Sequence, residues 1–152
     1  MRDSKEARNN KDKGGNNMDN YKRTFYGEMS MDISKTLTVG KIIFLSGTEA
    51  MDFGKAGAVD DDIFVQIEVV VRKMNAALEE LGLNIGAMVK HTIYMKKGSA
   101  DPVKVIRKFH DECYKYAPSL KEKPSTGTLA VVEGLASKNF KVEVDAIAAY
   151  PD

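Results

Sequence analysis

A chain of 152 residues, 43% of them apolar and 30% charged, is sized for one domain with a real core. Its formal charge of +1 lacks the basic excess of a protein that works on nucleic acid, and a single cysteine, Cys113, excludes an intrachain disulfide. No apolar run approaches the roughly 20 residues of a membrane helix, and residues 1–24 hold no apolar signal-peptide core, so the expected compartment is the cytoplasm.

Residues 1–24 carry seven Lys/Arg, four Asp/Glu and five Asn with almost nothing to bury. Such a composition cannot offset its ordering entropy, and a disordered polar arm is expected there. It is either a weak anion-binding tail or a solvated leader. The domain proper, residues 25–152, is left with sixteen basic and eighteen acidic side chains. Phe25-Tyr26 is a candidate short strand. Leu37 to Val39 and Ile42 to Leu45, joined by Gly40-Lys41, read as a β-hairpin. Residues 48–59 read as a loop.

Asp60-Asp61-Asp62 then caps a helix whose apolar stripe is Ile63, Ile67, Val70, Met74, Ala77, Leu78 and Leu81, with Gly82 closing it. Val89 to Met95 reads as a strand. Asp101-Pro102 opens a second helix, with Val103, Ile106, Phe109, His110 and Cys113 as its buried stripe. Thr126 to Glu133 and Phe140 to Ala149 complete a sheet of five or six strands. Two helices cover one face of such a sheet, so the other face must meet something apolar. A symmetric oligomer is the ordinary solution.

Several chemistries lack support. His91, His110 and Cys113 are scattered and show no metal-ligand spacing, so no metal is expected. Cys113 on an apolar stripe reads as a buried hydrophobe, with a Cys113–His110 nucleophilic pair as the alternative. The serine-hydrolase elbow, the P-loop and the dinucleotide fingerprint are all missing.

Two places remain. At the end of Phe44-Leu45-Ser46-Gly47-Thr48, backbone N–H groups and a hydroxyl suit a carboxylate or carbonyl. In the last strand, alternation puts Phe140, Val142, Val144 and Ala146 on one face and Glu143, Asp145 and Ile147 on the other. Glu143 and Asp145 are then either solvated charges or, partly buried by an oligomer, a general acid or base.

Val39-Gly40-Lys41-Ile42-Ile43-Phe44-Leu45-Ser46-Gly47 resembles the signature of the Rid family, also called YjgF or L-PSP endoribonuclease-like. Gln66, Leu81-Gly82-Leu83, the strand Val89 to Tyr94, Pro124 and the closing Val142-Glu143-Val144-Asp145-Ala146-Ile147-Ala148 fall where that family has them. The similarity spans roughly residues 30–150. It implies an α/β (α+β) chorismate-mutase-like ββαβαββ domain, with two helices on one face of the sheet. It also implies a homotrimer with a central barrel and clefts between subunits. Archetypal members hydrolyse enamines and imines left by pyridoxal-phosphate enzymes, with no cofactor of their own.

The resemblance assigns Ser46 and Gly47 to ligand binding and Glu143 to catalysis. The family's carboxylate-holding arginine falls on Gly127, its tyrosine on Ile33, its helix-borne asparagine on Ile106 and its cysteine on Leu129; Thr128 follows Gly127 in the same segment. No arginine occurs from 108 to 152, so the chain resembles an arginine-lacking subgroup. Gly127→Arg is expected to restore carboxylate binding only where the backbone at 127 is free of left-handed strain.

Three functions follow. One is a metal-free enamine or imine hydrolase acting on a substrate less acidic than the archetypal imino acids. The second is a non-catalytic ligand-binding or regulatory trimer, with Thr126, Gly127 and Thr128 lining a neutral pocket. The third is an endoribonuclease or translation inhibitor, disfavoured by the near-neutral charge. The expected partners are a small-molecule ligand and further copies of the chain, not nucleic acid or membrane.

Overall fold

The structure, a computed structural model, describes residues 21–26, 33–51 and 59–152. The expected arm up to residue 20, and most of the expected 48–59 loop, lie outside the described residues. A six-stranded sheet runs in the order β1-β2-β3-β6-β4-β5. Its strands are β1 (Lys22–Thr24), β2 (Thr36–Val39), β3 (Ile42–Glu49), β4 (Met88–Lys96), β5 (Thr126–Val132) and β6 (Val142–Ala149). Helices α1 (Ile63–Glu79) and α2 (Pro102–Tyr116) connect them in the expected ββαβαββ order after an extra edge strand. Among the described residues no helix is long and apolar enough to cross a membrane.

The expectation is corrected at several points. The first strand is Lys22–Thr24, inside the expected arm, rather than Phe25-Tyr26. It pairs antiparallel with β2, and the Thr24 and Thr36 hydroxyls meet at 2.6 Å. Its side chains are polar because an edge strand needs only main-chain pairing, and charge protects it from further pairing. The last strand starts at Val142 rather than Phe140, and β4, with nine residues, is the longest.

The buried residues of α2 are Val105, Phe109, Glu112 and Cys113. Val103 of the expected stripe is 55% exposed, and Ile106 and His110 are only half-buried. The seam has turned to include a charged residue because Lys108 and Lys115 lie 2.8 and 2.6 Å from the Glu112 carboxylate. Burial alone would raise the Glu112 pKa, and the two lysines more than reverse this and hold it low.

The core lies between the helices and one sheet face. Val142, Val144, Ala146 and Ala148 of β6 are buried there with Ile43, Leu45, Ile93 and Met95. α1 begins as expected, with the Asp62 carboxylate accepting from the Phe64 N–H. One turn on, buried Gln66 donates to the carbonyls of Asp60 (2.7 Å) and Asn139 (2.9 Å). Its Oε1 accepts from the Lys141 N–H at 2.8 Å. Gln66 thereby pins the entry of β6, the strand that carries Glu143, to the first turns of α1.

Candidate functional site

The β3–β6 pairing is regular from Ile42↔Ala149 to Leu45↔Ala146 and then shifts, resuming at Thr48↔Val144 and Glu49↔Glu143. Three steps along β3 against two along β6 mark a β-bulge at Ser46-Gly47. The bulge brings Gly47 under the Glu143 side chain. A Cβ built at 47 would overlap Oε1 of Glu143 and lie 3.0 Å from its Cδ. Any side chain at 47 would therefore displace the Glu143 carboxylate from its present position.

Glu143 is half-buried on the face away from the helices, as the alternation of β6 requires. Its pKa is raised, first by burial and then by the carboxylates of Glu49 and Asp145. Glu49 is its direct partner across the β3–β6 pair. Tyr94 is its partner on β4, and the Tyr94 hydroxyl donates to Asp145 Oδ2 at 3.1 Å. Ser46 donates its hydroxyl proton to the Ser34 carbonyl at 2.7 Å. The Tyr26 phenol completes the cluster, its pKa raised by burial and by Glu49, with a hydrogen bond to Ser46 acting the other way. Ile33, the residue at the family's tyrosine position by the resemblance, is 54% exposed.

The second group lies on the helix-covered face near the β5 edge. A cavity of about 170 Å³ is lined by His91, Ile93, Ile106, His110, Ser125, Gly127, Thr128 and Leu129. The expected Ile106, Gly127, Thr128 and Leu129 thus come together. Thr126 does not line it, and its hydroxyl donates to the Val89 carbonyl at 3.0 Å. Sequence reasoning weighed His91 and His110 only as metal ligands, and His110 as a partner of Cys113, and did not place either at a ligand cavity.

The His91 ring covers Gly127, its partner across the parallel β4–β5 pair. A Cβ at 127 would overlap the imidazole Nε2 and sit 2.5 Å from Cε1. Nδ1 of His91 lies 3.0 Å from the Ser125 hydroxyl. Burial, followed by His110 and Lys90, lowers the His91 pKa to about 4, so the ring is neutral at physiological pH. Cys113 is buried, and burial with Glu112 pushes its thiol up to about 12, which removes it as a nucleophile at neutral pH.

The profile of the family described as Endoribonuclease L-PSP matches residues 29–150. The chain belongs to this family, the Rid or YjgF group. A RutC family protein of Pyrococcus abyssi is 35% identical over 63 residues, 41% of this chain. That match spans half the length of the curated relative. A solved protein of unknown function from Pseudomonas aeruginosa shares 28% identity and a TM-score of 0.65, covering 80% of this chain and 83% of that one. The structure of E. coli TdcF with bound serine superimposes with a TM-score of 0.60 at 21% identity, over 78% of this chain and 88% of that one. This Rid-family chain therefore has the mixed α+β fold of the group. Within one chain, Glu143 and Asp145 lie on the sheet face opposite the histidine-lined cavity, while Glu49 is ion-paired with Lys73 of α1.

Proposed function

We propose that the chain is a Rid-type small-molecule enzyme that hydrolyses an enamine or imine without metal or organic cofactor, in clefts between the subunits of a homotrimer. The observation that carries this reading is the half-buried Glu143 carboxylate seated on Gly47. The raised pKa makes Glu143 a better proton acceptor than an ordinary carboxylate. As a carboxylate it takes a proton from water while the water oxygen bonds to the C=N carbon. As an acid it returns that proton to nitrogen to give a carbinolamine, then takes the hydroxyl proton and passes it to nitrogen as the C–N bond breaks, so that a carbonyl compound and ammonia or an amine leave.

The open sheet face exposes Phe44 and Ile42 on β3 at 43% and 40%. A neighbouring subunit on that face covers them and brings Glu143 of one chain toward the cavity of the next. The fold accommodates small molecules, as the serine in E. coli TdcF illustrates. No lysine or arginine lines this histidine-walled cavity, which favours a substrate without the carboxylate of the archetypal imino acids.

The test follows ammonia release from imines generated from uncharged amines. Wild type should exceed the buffer rate, and Glu143→Gln should lose about 100-fold or more of that excess. Equal rates for the two proteins would remove Glu143 from the mechanism. A non-catalytic binding role is the second reading, favoured by the commitment of the Ser46 proton to Ser34. It requires that wild type turn over nothing. The near-neutral charge disfavours the endoribonuclease reading.

A further inference from the structure

The cavity beside β5 has a composition unlike the carboxylate cluster on the opposite face. Ile93, Ile106 and Leu129 supply an apolar wall, and the polar groups facing them are two imidazoles and the hydroxyls of Ser125 and Thr128. None of its eight lining residues is Asp, Glu, Lys or Arg. The nearby cation on β4, Lys90, is turned to the Thr92 hydroxyl at 3.1 Å. At about 170 Å³ the cavity is well below the roughly 300–1,000 Å³ of drug-sized sites.

His91 is the most constrained group in it. The ring is 4% exposed and packs 4.8 Å from Phe109 and 5.5 Å, edge-on, from His110. Nδ1 is engaged by Ser125. Nε2 projects over Gly127 into the space that any side chain there would fill, and among the described residues no group hydrogen-bonds it. No side-chain nitrogen or oxygen of the described residues is both fully buried and without a partner, so Nε2 is reachable from the cavity. The Ser125 hydroxyl rotates. It can give its proton to Nδ1, which leaves an N–H on Nε2, or accept from Nδ1–H, which leaves Nε2 as an acceptor.

We propose that His91 determines what this cavity accepts: a small uncharged molecule with one hydrogen-bonding head, such as an amide, carbonyl or hydroxyl, on a compact apolar body. The proposal rests on the reading of the cavity as part of the ligand cleft and names the ligand class for it. Nε2 meets the head, the Ile93, Ile106 and Leu129 wall takes the body, and Gly127 leaves the room between them. A carboxylate in the same place would lose its water and find no cation among the residues lining this cavity. The low pKa of His91 agrees, because the ring does not become that cation at neutral pH.

The test uses isobutyramide and isobutyrate, which match in shape and differ in charge. The full-length protein has only two histidines, so the imidazole nitrogen NMR signals assign with one His110→Asn variant. At neutral pH the amide should shift the His91 signals saturably, and isobutyrate should bind about tenfold more weakly or not at all. His91→Leu should weaken the amide by about tenfold, and His91→Asn, which keeps a hydrogen-bonding head, should recover part of it. Isobutyrate binding as well as the amide, neither probe moving the His91 signals, or unchanged amide affinity in His91→Leu would each overturn the proposal. A protein that prefers the amide but hydrolyses no imine would sink the hydrolase reading and leave this one standing. One that hydrolyses carboxylated imines and binds isobutyrate would do the reverse.

Discussion

Gly47 and Gly127 owe their places to different neighbours. At Gly47 the neighbour is the Glu143 carboxylate, and at Gly127 it is the His91 ring. Neither has the positive φ found at Gly40, Gly82 and Gly98, so the backbone at 127 tolerates a side chain and the obstacle to Gly127→Arg is the imidazole. The single substitution should therefore destabilise by roughly 1–3 kcal/mol through overpacking. Adding His91→Gly should recover about 1 kcal/mol or more of that, read as a coupling energy in a double-mutant cycle. Strict additivity would mean that the ring and the arginine do not compete for one space. His91 also shapes the pH response. Its pKa falls from the usual 6.5 to about 4 on folding, so the unfolded chain takes up a proton that the folded chain refuses. The resulting stability is complete above pH 6.5, fades between pH 6.5 and 4, and is gone below. The full difference is roughly 3 kcal/mol, and urea melts of wild type against His91→Gln should diverge by about that much across the window.

Gln66 shows how an element is held by a single side chain. Gln66→Leu keeps the volume but strands the Lys141 N–H and two carbonyls, a loss of roughly 2–4 kcal/mol. The melting temperature should fall by roughly 5–15 °C; a shift of a degree or less would show that water replaces the side chain. The elements themselves were largely legible. The apolar stripe and acidic cap marked α1, proline at the first helical position marked α2, and alternation assigned both faces of β6. β1 was not legible, because Lys22, Arg23 and Thr24 pair only through their backbone and bury no apolar stripe. The α2 seam was misread because apolarity was the criterion, while two lysines let Glu112 inside. Glu143 came from strand alternation and then from a family pattern, and the cavity residues from the family pattern alone. His91 escaped because its role depends on the register between β4 and β5, which no local spacing encodes.

At the scale of the molecule, the two halves of the proposed cleft are complete only when a second chain covers the open face. Light scattering at micromolar concentration should give three times the chain mass of 16.8 kDa, and a monomer would leave the Glu143 cluster and the cavity apart. The sheet order adds a constraint of another kind. β6 is the last strand in sequence, yet it lies between β3 and β4 near the middle of the sheet. Without β6, β1-β2-β3 and β4-β5 are two part-sheets with no strand to join them, and non-local pairing of this kind is expected to come late in folding. The strand that joins the sheet also carries Glu143, so a chain interrupted before residue 142 should fail as a fold and as a site together.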